Sequence, residues 1–524
     1  MLDRSRIIAR RLSALALAPL LAAGGVFAGP ATPVAKLILV PQAYMAPAVH
    51  LAKLRAHQQQ VACNFPDNTI DPLFHCYNPS QIATAYGLDT LHSEGLTGAG
   101  QTIVLVDAYG SPTAAADLQK FHDTFFAGLP SPNFNEIYPL GNPPFSSTVA
   151  SGLSGPTAAA LWSGEATLDI EWSYASAPGA HIILVGVPPA ETEGVQGFPT
   201  LFNAMQGLIN SLPPGTVFSQ SFGVTEQTFG GAATTQTAIL DKVYQSGIAK
   251  GDTFLASAGD FGTTNVSKLH KETVTYPFPT VIWPTTSPYV TSAGGTQLQS
   301  GWVWTPTSNV PFNASGPNPA YFAWAPTANS TEAVWNESWA PIATGGNPSA
   351  IYPRPSWQSA QASVIGKDAR GVPDLAWNSA VNGGVLTWIS AYPSFNCGNT
   401  TGCWGIFGGT SAASPQLSGV VALANQLRAN KGPVGYLNPR LYAIGNKAGS
   451  STATFNGTGD FRDIVSQTYG IFTLNNNQLW QYNADGSVSP GPIAGNPTIT
   501  GWDLTTGFGS PRADTLVHDL ASQP

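Results

Sequence analysis

The octet Gly408-Gly409-Thr410-Ser411-Ala412-Ala413-Ser414-Pro415 is the stretch of this sequence best suited to nucleophilic chemistry. A tight glycine turn running into an apolar helical pattern through Leu427 exposes Ser411 at a helix start, where amide groups without internal acceptors favour developing negative charge. Pro415 fits a first helical turn, which needs no donor there. A plain serine cap does not account for the whole octet. A serine hydroxyl also needs a base to take its proton. The eight histidines, His50, His57, His75, His92, His122, His181, His270 and His518, offer none in a His-Gly-Thr-His context. Gly164-Glu165-Ala166-Thr167-Leu168-Asp169 offers acids instead: it is expected to begin a helix with Glu165 and Asp169 on one face. Two such carboxyls share a proton, and their repulsion raises one apparent pKa, giving a base suited to acidic water. An imidazole would be protonated there. The competing reading is a solvated acidic helix face, and Glu171, off that face, ranks lower. Asp260 closes Phe254-Leu255-Ala256-Ser257-Ala258-Gly259-Asp260 at the carboxyl end of an apolar strand pattern, the edge where sites in open α/β sheets gather. Protonated, it can donate to the oxyanion of a tetrahedral intermediate; its bland reading is a turn cap.

These residues need a rigid frame. From Tyr77 onward short apolar runs alternate with helical patterns, which predicts an α/β fold with a mostly parallel central sheet and helices on both faces. The strand candidates are Ile103 to Asp107, Ile182 to Val187, Val217 to Phe222 and Thr253 to Ala258. The helix candidates are Ala114 to Phe126, Glu165 to Ala175, Leu201 to Leu212 and Thr237 to Ile248. Gly301 to Pro355 turns to Gly, Pro, Asn, Ser and Trp, as in long surface loops or an added hairpin; Trp302, Trp304, Trp324, Trp335 and Trp339 are read as packing beneath those loops.

Taken together, Tyr77-Asn78-Pro79, Glu165 to Asp169, Ser257 to Gly262, Arg370-Gly371-Val372-Pro373-Asp374 and Gly409 to Pro415 resemble the sedolisins, the serine-carboxyl peptidases that share the subtilisin fold. The resemblance spans Tyr77 to Pro511 and implies a peptidase of acidic media, endo- or exo-acting. Ser411 would be its nucleophile, Glu165 the general base and acid, Asp169 the residue that orients Glu165, and Asp260 the oxyanion-hole donor. Val217 to Gly223, with Ser219, Ser221 and Gly223, would form one wall of the substrate groove. The family also binds one structural calcium ion, and Arg462-Asp463-Ile464 and Gly501-Trp502-Asp503 look like that site. Asp463 and Asp503 would give carboxylates, and Ile464, Ile499 and Gly501 backbone carbonyls, the oxygen ligands calcium needs. Sedolisins are often made with a long folded propeptide, whereas only a short arm precedes the catalytic region here. A conventional subtilisin is the runner-up, because Thr102-Ile103-Val104-Leu105-Val106-Asp107 resembles the strand that ends in its catalytic Asp, yet it lacks a histidine base. A secreted binding protein on an inactivated scaffold is a third reading.

Bulk composition narrows the classes further. Hydrophobic residues make up 43% and charged residues 10% of 524 residues, which excludes disorder. Lys and Arg total 21 against 29 Asp and Glu, with no basic cluster after the leader, so nucleic acid is excluded as a partner and protein or peptide substrates are expected. So few ionisable groups leave the protonated chain weakly charged, which suits an acidic medium. Arg4, Arg6, Arg10 and Arg11 precede an apolar run from Leu12 to Phe27, a secretory signal expected to end near Ala28. A membrane anchor is disfavoured by Pro19, Gly24 and Gly25. The expected layout is a signal peptide at 1–28, an N-terminal arm or reduced propeptide at 29–75 and a peptidase domain at 76–524, exported as a monomer. Cys63, Cys76, Cys397 and Cys403 form two close pairs suited to neighbour disulfides in an oxidising compartment.

Overall fold

A computed structural model describes residues 44–45, 76–143, 145, 156–188, 194–269, 273–299, 331–337, 341–397, 401–469, 472–482 and 488–524. The signal segment, the arm at 29–75 including Cys63 and excepting only Tyr44 and Met45, and Trp302, Trp304, Trp324 and Trp339 lie outside the described residues. In chain order the elements that matter for the site begin with β1 (Tyr44–Met45), β2 (Cys76–Tyr77) and α1 (Pro79–Tyr86). Asn78 caps α1 in a reciprocal capping box with Gln81, and Pro79 takes its first position. Next come β3 (Thr102–Ala108), α2 (Ala114–Phe125), β4 (Asn133–Ile137), α3 (Pro156–Ser176), β5 (His181–Val187), α4 (Phe198–Ser211), β6 (Val217–Gln220), α5 (Ala233–Lys250) and β7 (Thr253–Ser257). The chain then forms β8 (Thr291–Gln299), β9 (Thr331–Val334), β10 (Leu375–Asn378), β11 (Gly384–Ile389), β12 (Cys403–Gly408), α6 (Thr410–Leu427) and α7 (Ala513–Ser522).

The main sheet has eight strands in the order β9-β8-β7-β6-β3-β5-β4, with β10 also paired to β8. Every pairing is parallel except that of β9, which runs antiparallel to β8. Alternation along β3 explains why helices cover both faces: Ile103 and Leu105 enter the core that holds α3 and α6, while Val104 and Val106 enter the core that holds α4 and α5. The expected α/β architecture is thus present. A smaller four-stranded sheet, in the order β1-β12-β11-β2, leads into α6.

Several details differ from the sequence expectation, among them Pro415, which lies inside the helix that starts at Thr410 rather than in its first turn. The helix carrying Glu165 starts at Pro156, not at Glu165. Trp162 to Ser176 are buried without a break, so the helix has no polar face and its first turns show no amphipathic contrast in sequence. The strand at Val217 ends at Gln220, two residues earlier than expected, because the chain leaves the sheet before Phe222. Within the stretch expected to be loops, Thr331–Val334 joins the main sheet as β9, and Trp335 beside it is fully buried with its Nε1–H donating to Glu337 at 2.8 Å.

Candidate active site

Two internal helices bring the chemistry together. α3 and α6 pack side by side, and Gly419 is what lets them approach: a Cβ there would lie 2.4 Å from Ser176 Cβ. At the start of α6, Gly408 and Gly409 are required for separate reasons. A Cβ on Gly408 would lie 2.6 Å from Ser379 O, and Gly409 adopts φ +108°, a conformation L side chains rarely take. The turn they make sets Ser411 in the first turn of α6, fully buried, with no hydrogen-bond partner for its Oγ among the described residues.

The first helical amide has no side chain at its own cap, since the cap residue is glycine, and Asp260 supplies the acceptor from β7's end. Its Oδ1 accepts from Thr410 N–H at 2.9 Å and from Thr410 Oγ1–H at 2.7 Å, while Thr410 Oγ1 accepts from Gly259 N–H at 3.0 Å. Asp260 Oδ2 is buried with no partner. Burial pushes the Asp260 carboxyl up to about 8 against the two bonds from Thr410, which lower it. A proton on Oδ2 is the state that leaves no buried charge there, and it converts that oxygen into a donor one residue from Ser411.

Glu165 and Asp169 lie on one face of α3 as the spacing implies, and a third acid joins them. Carboxylate oxygens of Asp107, Glu165 and Asp169 all lie within 4.8 Å of one another, and all three residues are fully buried. Asp169 Oδ2 accepts from Ser221 Oγ–H at 2.7 Å. Burial, followed by the charges of Asp107 and Glu165, holds the Asp169 carboxyl well above the usual carboxylate range, against the lowering effect of Ser221. Neither oxygen of Asp107 has a hydrogen-bond partner, and burial pushes this carboxyl up to about 8. Three carboxyls this close share protons and titrate as a group. The sequence reading treated Asp107 only as the strand-end acid of a conventional subtilisin. Its signal was a lone acid closing an otherwise apolar strand, and here it stands behind the Glu165–Asp169 pair.

The remaining candidates fall as follows. Ser219 Oγ lies 2.8 Å from Ser414 Oγ and Ser221 bonds Asp169, so both side chains brace the catalytic elements. Gly223 packs tightly, since a Cβ there would lie 2.6 Å from Ile282 Cδ1. Glu171 points the other way, accepting from Trp388 N–H at 2.9 Å; burial and then the Asp117 charge raise its pKa well above normal. The described histidines are engaged elsewhere: His122 Nδ1 with Tyr174 Oη at 2.7 Å, His92 with Ser176 O, His181 with Asn135 and His518 with Glu94. β1 reaches the site as well, with Tyr44 opposite Gly408 and Met45 opposite Phe407 on β12. Burial, then the charges of Asp260 and Glu165, raise the Tyr44 phenol far above its ordinary value.

A family profile described as the subtilase family matches residues 173–440, just over half of the chain and inclusive of the serine octet. The chain belongs to the subtilase family. Kumamolisin of Bacillus sp. (strain MN-32) is 28% identical over 459 residues, covering 85% of this chain and 63% of that protein. Sedolisin of Pseudomonas sp. (strain 101) is 27% identical, covering 83% of this chain and 59% of that protein. Tripeptidyl-peptidase 1 of Homo sapiens is 26% identical over 68% of this chain and 51% of its own length. This subtilase therefore spans about three fifths of the first two relatives and half of the third. Among solved structures, Pseudomonas sedolisin, a serine-carboxyl proteinase complexed with two molecules of pseudo-iodotyrostatin, shares the fold at a TM-score of 0.57 and 24% identity, over 86% of this chain and 99% of that one. The relatives agree with the sedolisin resemblance read from the motifs.

At the far end of this subtilase, the pairing of Phe461–Arg462 with Ser510–Pro511 draws the proposed calcium residues together. Gly501 N–H donates to Asp463 Oδ2 at 2.9 Å and Ile499 N–H to Asp503 Oδ2 at 3.1 Å. Asp503 Oδ1 accepts from the amides and hydroxyls of Thr505 and Thr506. Asp463 Oδ1 is buried without a partner, the kind of oxygen a hard cation would satisfy. Cys397 and Cys403 are joined by a disulfide, and Cys76 is also disulfide-bonded.

The raised carboxyl groups carry a sign for stability. Asp107 and Asp260, ordinarily near 3.8, keep their protons to about 8 in the folded chain. Their stabilising contribution is fully present below the unfolded value. It is lost as pH rises from about 4 to about 8, because the unfolded chain gives up protons that the folded chain retains. The denaturant midpoint should therefore fall as pH rises through this window, and Asp107→Asn should flatten the fall. A midpoint that climbs from acid to neutral pH contradicts the assignment.

Proposed function

We propose that the chain is a secreted, acid-active serine peptidase of the sedolisin type that hydrolyses peptide bonds in protein or peptide substrates. The observation that carries this reading is the cluster of buried carboxyls of Asp107, Glu165 and Asp169, together with Asp260 bonded to Thr410 at the start of α6. Ser411 Oγ attacks the scissile carbonyl. Glu165 takes the hydroxyl proton and returns it to the leaving amine, so that an acyl-enzyme forms and water then resolves it. Asp169, steadied by Ser221, orients Glu165, and Asp107 keeps that pair from ionising fully. Asp260 donates its Oδ2 proton to the oxyanion, where an amide of the α6 start adds a second donor. Backbone groups of residues 217–223 form one wall of the substrate groove, since the serine side chains of that segment are turned inward.

A conventional subtilisin mechanism requires an imidazole on Ser411, and among the described residues no histidine bonds Ser411 Oγ. An inactivated binding protein would have no need for Asp107, Asp169 and Asp260 to be buried at a cost in stability above mildly acidic pH. Export is supported by the arginine-led apolar start and by the disulfides. No described helix is long and apolar enough to cross a membrane. One chain supplies every group named here, so a monomer suffices. We further propose one calcium ion held by the carboxylates of Asp463 and Asp503 and the carbonyls of Ile464, Ile499 and Gly501. Such an ion would fix the two C-terminal loops to each other.

On denatured protein substrate, cleavage should peak at acidic pH and vanish in Ser411→Ala and Glu165→Ala while both variants keep the native circular dichroism. Asp260→Ala should lower kcat by about 10²- to 10³-fold with little change in KM, the loss of one oxyanion donor. Turnover retained in Glu165→Ala but lost on replacing His122 or His181 would establish the imidazole mechanism instead. A calcium chelator should lower the melting temperature of the full chain, and excess calcium should restore it. Asp463→Ala should abolish that response, whereas a chelator-insensitive melt removes the ion from the account.

A further inference from the structure

Asp260 is anchored at its carboxyl by Thr410, but the backbone that carries it has left the main sheet. β7 ends at Ser257, and Ala258 N–H still donates to Ala293 O at 2.8 Å. Beyond that point the chain pairs with residues 343–345 instead. Gly345 N–H donates to Gly259 O at 2.7 Å, Ala343 N–H to Asp260 O at 3.0 Å and Gly262 N–H to Ala343 O at 2.9 Å, around a parallel bridge between Phe261 and Ala343. The segment 343–346 therefore sets the backbone position of Asp260. Two of its residues are glycines because a side chain has no room: a Cβ on Gly345 would collide with Ala258 O, and one on Gly346 with Leu504 O. Such a segment has little stiffness of its own, and a neighbour supplies it. Asn477 is fully buried, and its Nδ2 donates to Thr344 O at 3.1 Å and to Gly346 O at 3.3 Å, one on each side of Gly345. Its Oδ1 accepts from Asn496 N–H at 2.8 Å, so the carboxamide is used at both ends. The backbone carbonyl of Asn477 also abuts Gly262, where a Cβ would strike it, at the far end of the turn that holds Asp260.

We propose that Asn477 is a positioning residue for Asp260: its carboxamide clamps the carbonyls on either side of Gly345, and so holds the backbone that sets the Asp260 carboxyl at the start of α6. The role of that carboxyl in turnover rests on the peptidase reading above, whereas the clamp on its position does not. Asparagine suits the task because the partners are two carbonyls and one amide, which a carboxamide matches with two donors and an acceptor. None of these partners is titratable. Asn477→Asp keeps the shape of the side chain and, while protonated, still offers one donor and one acceptor. Once ionised, it sets a negative oxygen against two carbonyl oxygens with no cation among these partners, and the clamp pushes where it used to hold.

The test compares Asn477→Asp with the wild type, both as the full chain. On a peptide substrate, the kcat of the variant relative to wild type should be within about threefold at a pH of about 3 and should fall roughly tenfold or more as pH rises to about 6, with KM changed less than about twofold. In infrared difference spectra the carboxyl C=O band removed by Asp260→Asn should shift in Asn477→Asp as pH rises from about 3 to about 7, while the band removed by Asp107→Asn stays in place. Asn496→Ala alters a half-buried residue that gives Gly346 O a second donor at 2.8 Å. It should lower kcat severalfold at every pH and shift the same Asp260 band, and it reads the clamp should Asn477→Asp not fold. An Asp260 band that neither substitution moves, a kcat ratio in Asn477→Asp that is flat with pH, or a shift that extends to the Asp107 band overturns the proposal. A wild-type chain that cleaves nothing at any pH would refute the peptidase reading, and the band positions would then decide the clamp by themselves.

Discussion

A carboxyl group removed from water and given no cation keeps its proton, and the centre of this protein is organised around that constraint. Asp107, Asp169 and Asp260 are fully buried, with their pKa values raised chiefly by desolvation. In a histidine-based serine peptidase the site must be neutral enough for imidazole to be unprotonated. Here the same burial that shapes the site also favours the folded chain in acid, because Asp107 and Asp260 retain protons that the unfolded chain gives up.

The scaffold meets this constraint by putting acids on elements that have no polar face. α3 is buried throughout the segment that carries Glu165 and Asp169, and α6 is buried from Thr410 to Asn425. Gly419 permits the two helices to touch, and Thr410 ties the α6 start to Gly259 and Asp260 at the end of β7. Each link fixes one candidate site residue relative to another through backbone or short side chains, which limits their freedom. Distant buried charge follows a different rule: Arg462 pairs with Glu332 and is also held by Ser510 and Ala85 O, a structural ion pair that ties the C-terminal segment to β9.

Much of the fold was legible in the sequence. The strands at Ile103, Ile182 and Thr253 carry short apolar runs, and the helices at Ala114, Leu201 and Thr237 a helical stripe. β9 was hidden because it follows a loop-like stretch, and the first turns of α3 were hidden because a helix buried on all sides has no stripe to detect. Within the site, the spacing of Glu165 and Asp169 put them on one face, and the serine octet implied the glycine turn. Asp107 was visible only as a lone acid closing an apolar strand, and its approach to Asp169 depends on how β3 and α3 pack. Tyr44 gave no signal, since pairing of a two-residue strand with β12 is a long-range event that no local pattern encodes.

The central claim, that carboxyl groups in this site hold protons where ordinary carboxyls do not, is most directly tested by infrared difference titration of the folded full chain. The account predicts protonated carboxyl C=O bands that persist at neutral pH and diminish in both Asp107→Asn and Asp260→Asn, with the intensity those substitutions remove titrating away as pH rises through about 8. Complete loss of every protonated carboxyl band by a pH of about 5, with neither substitution changing the spectrum at neutral pH, would contradict it.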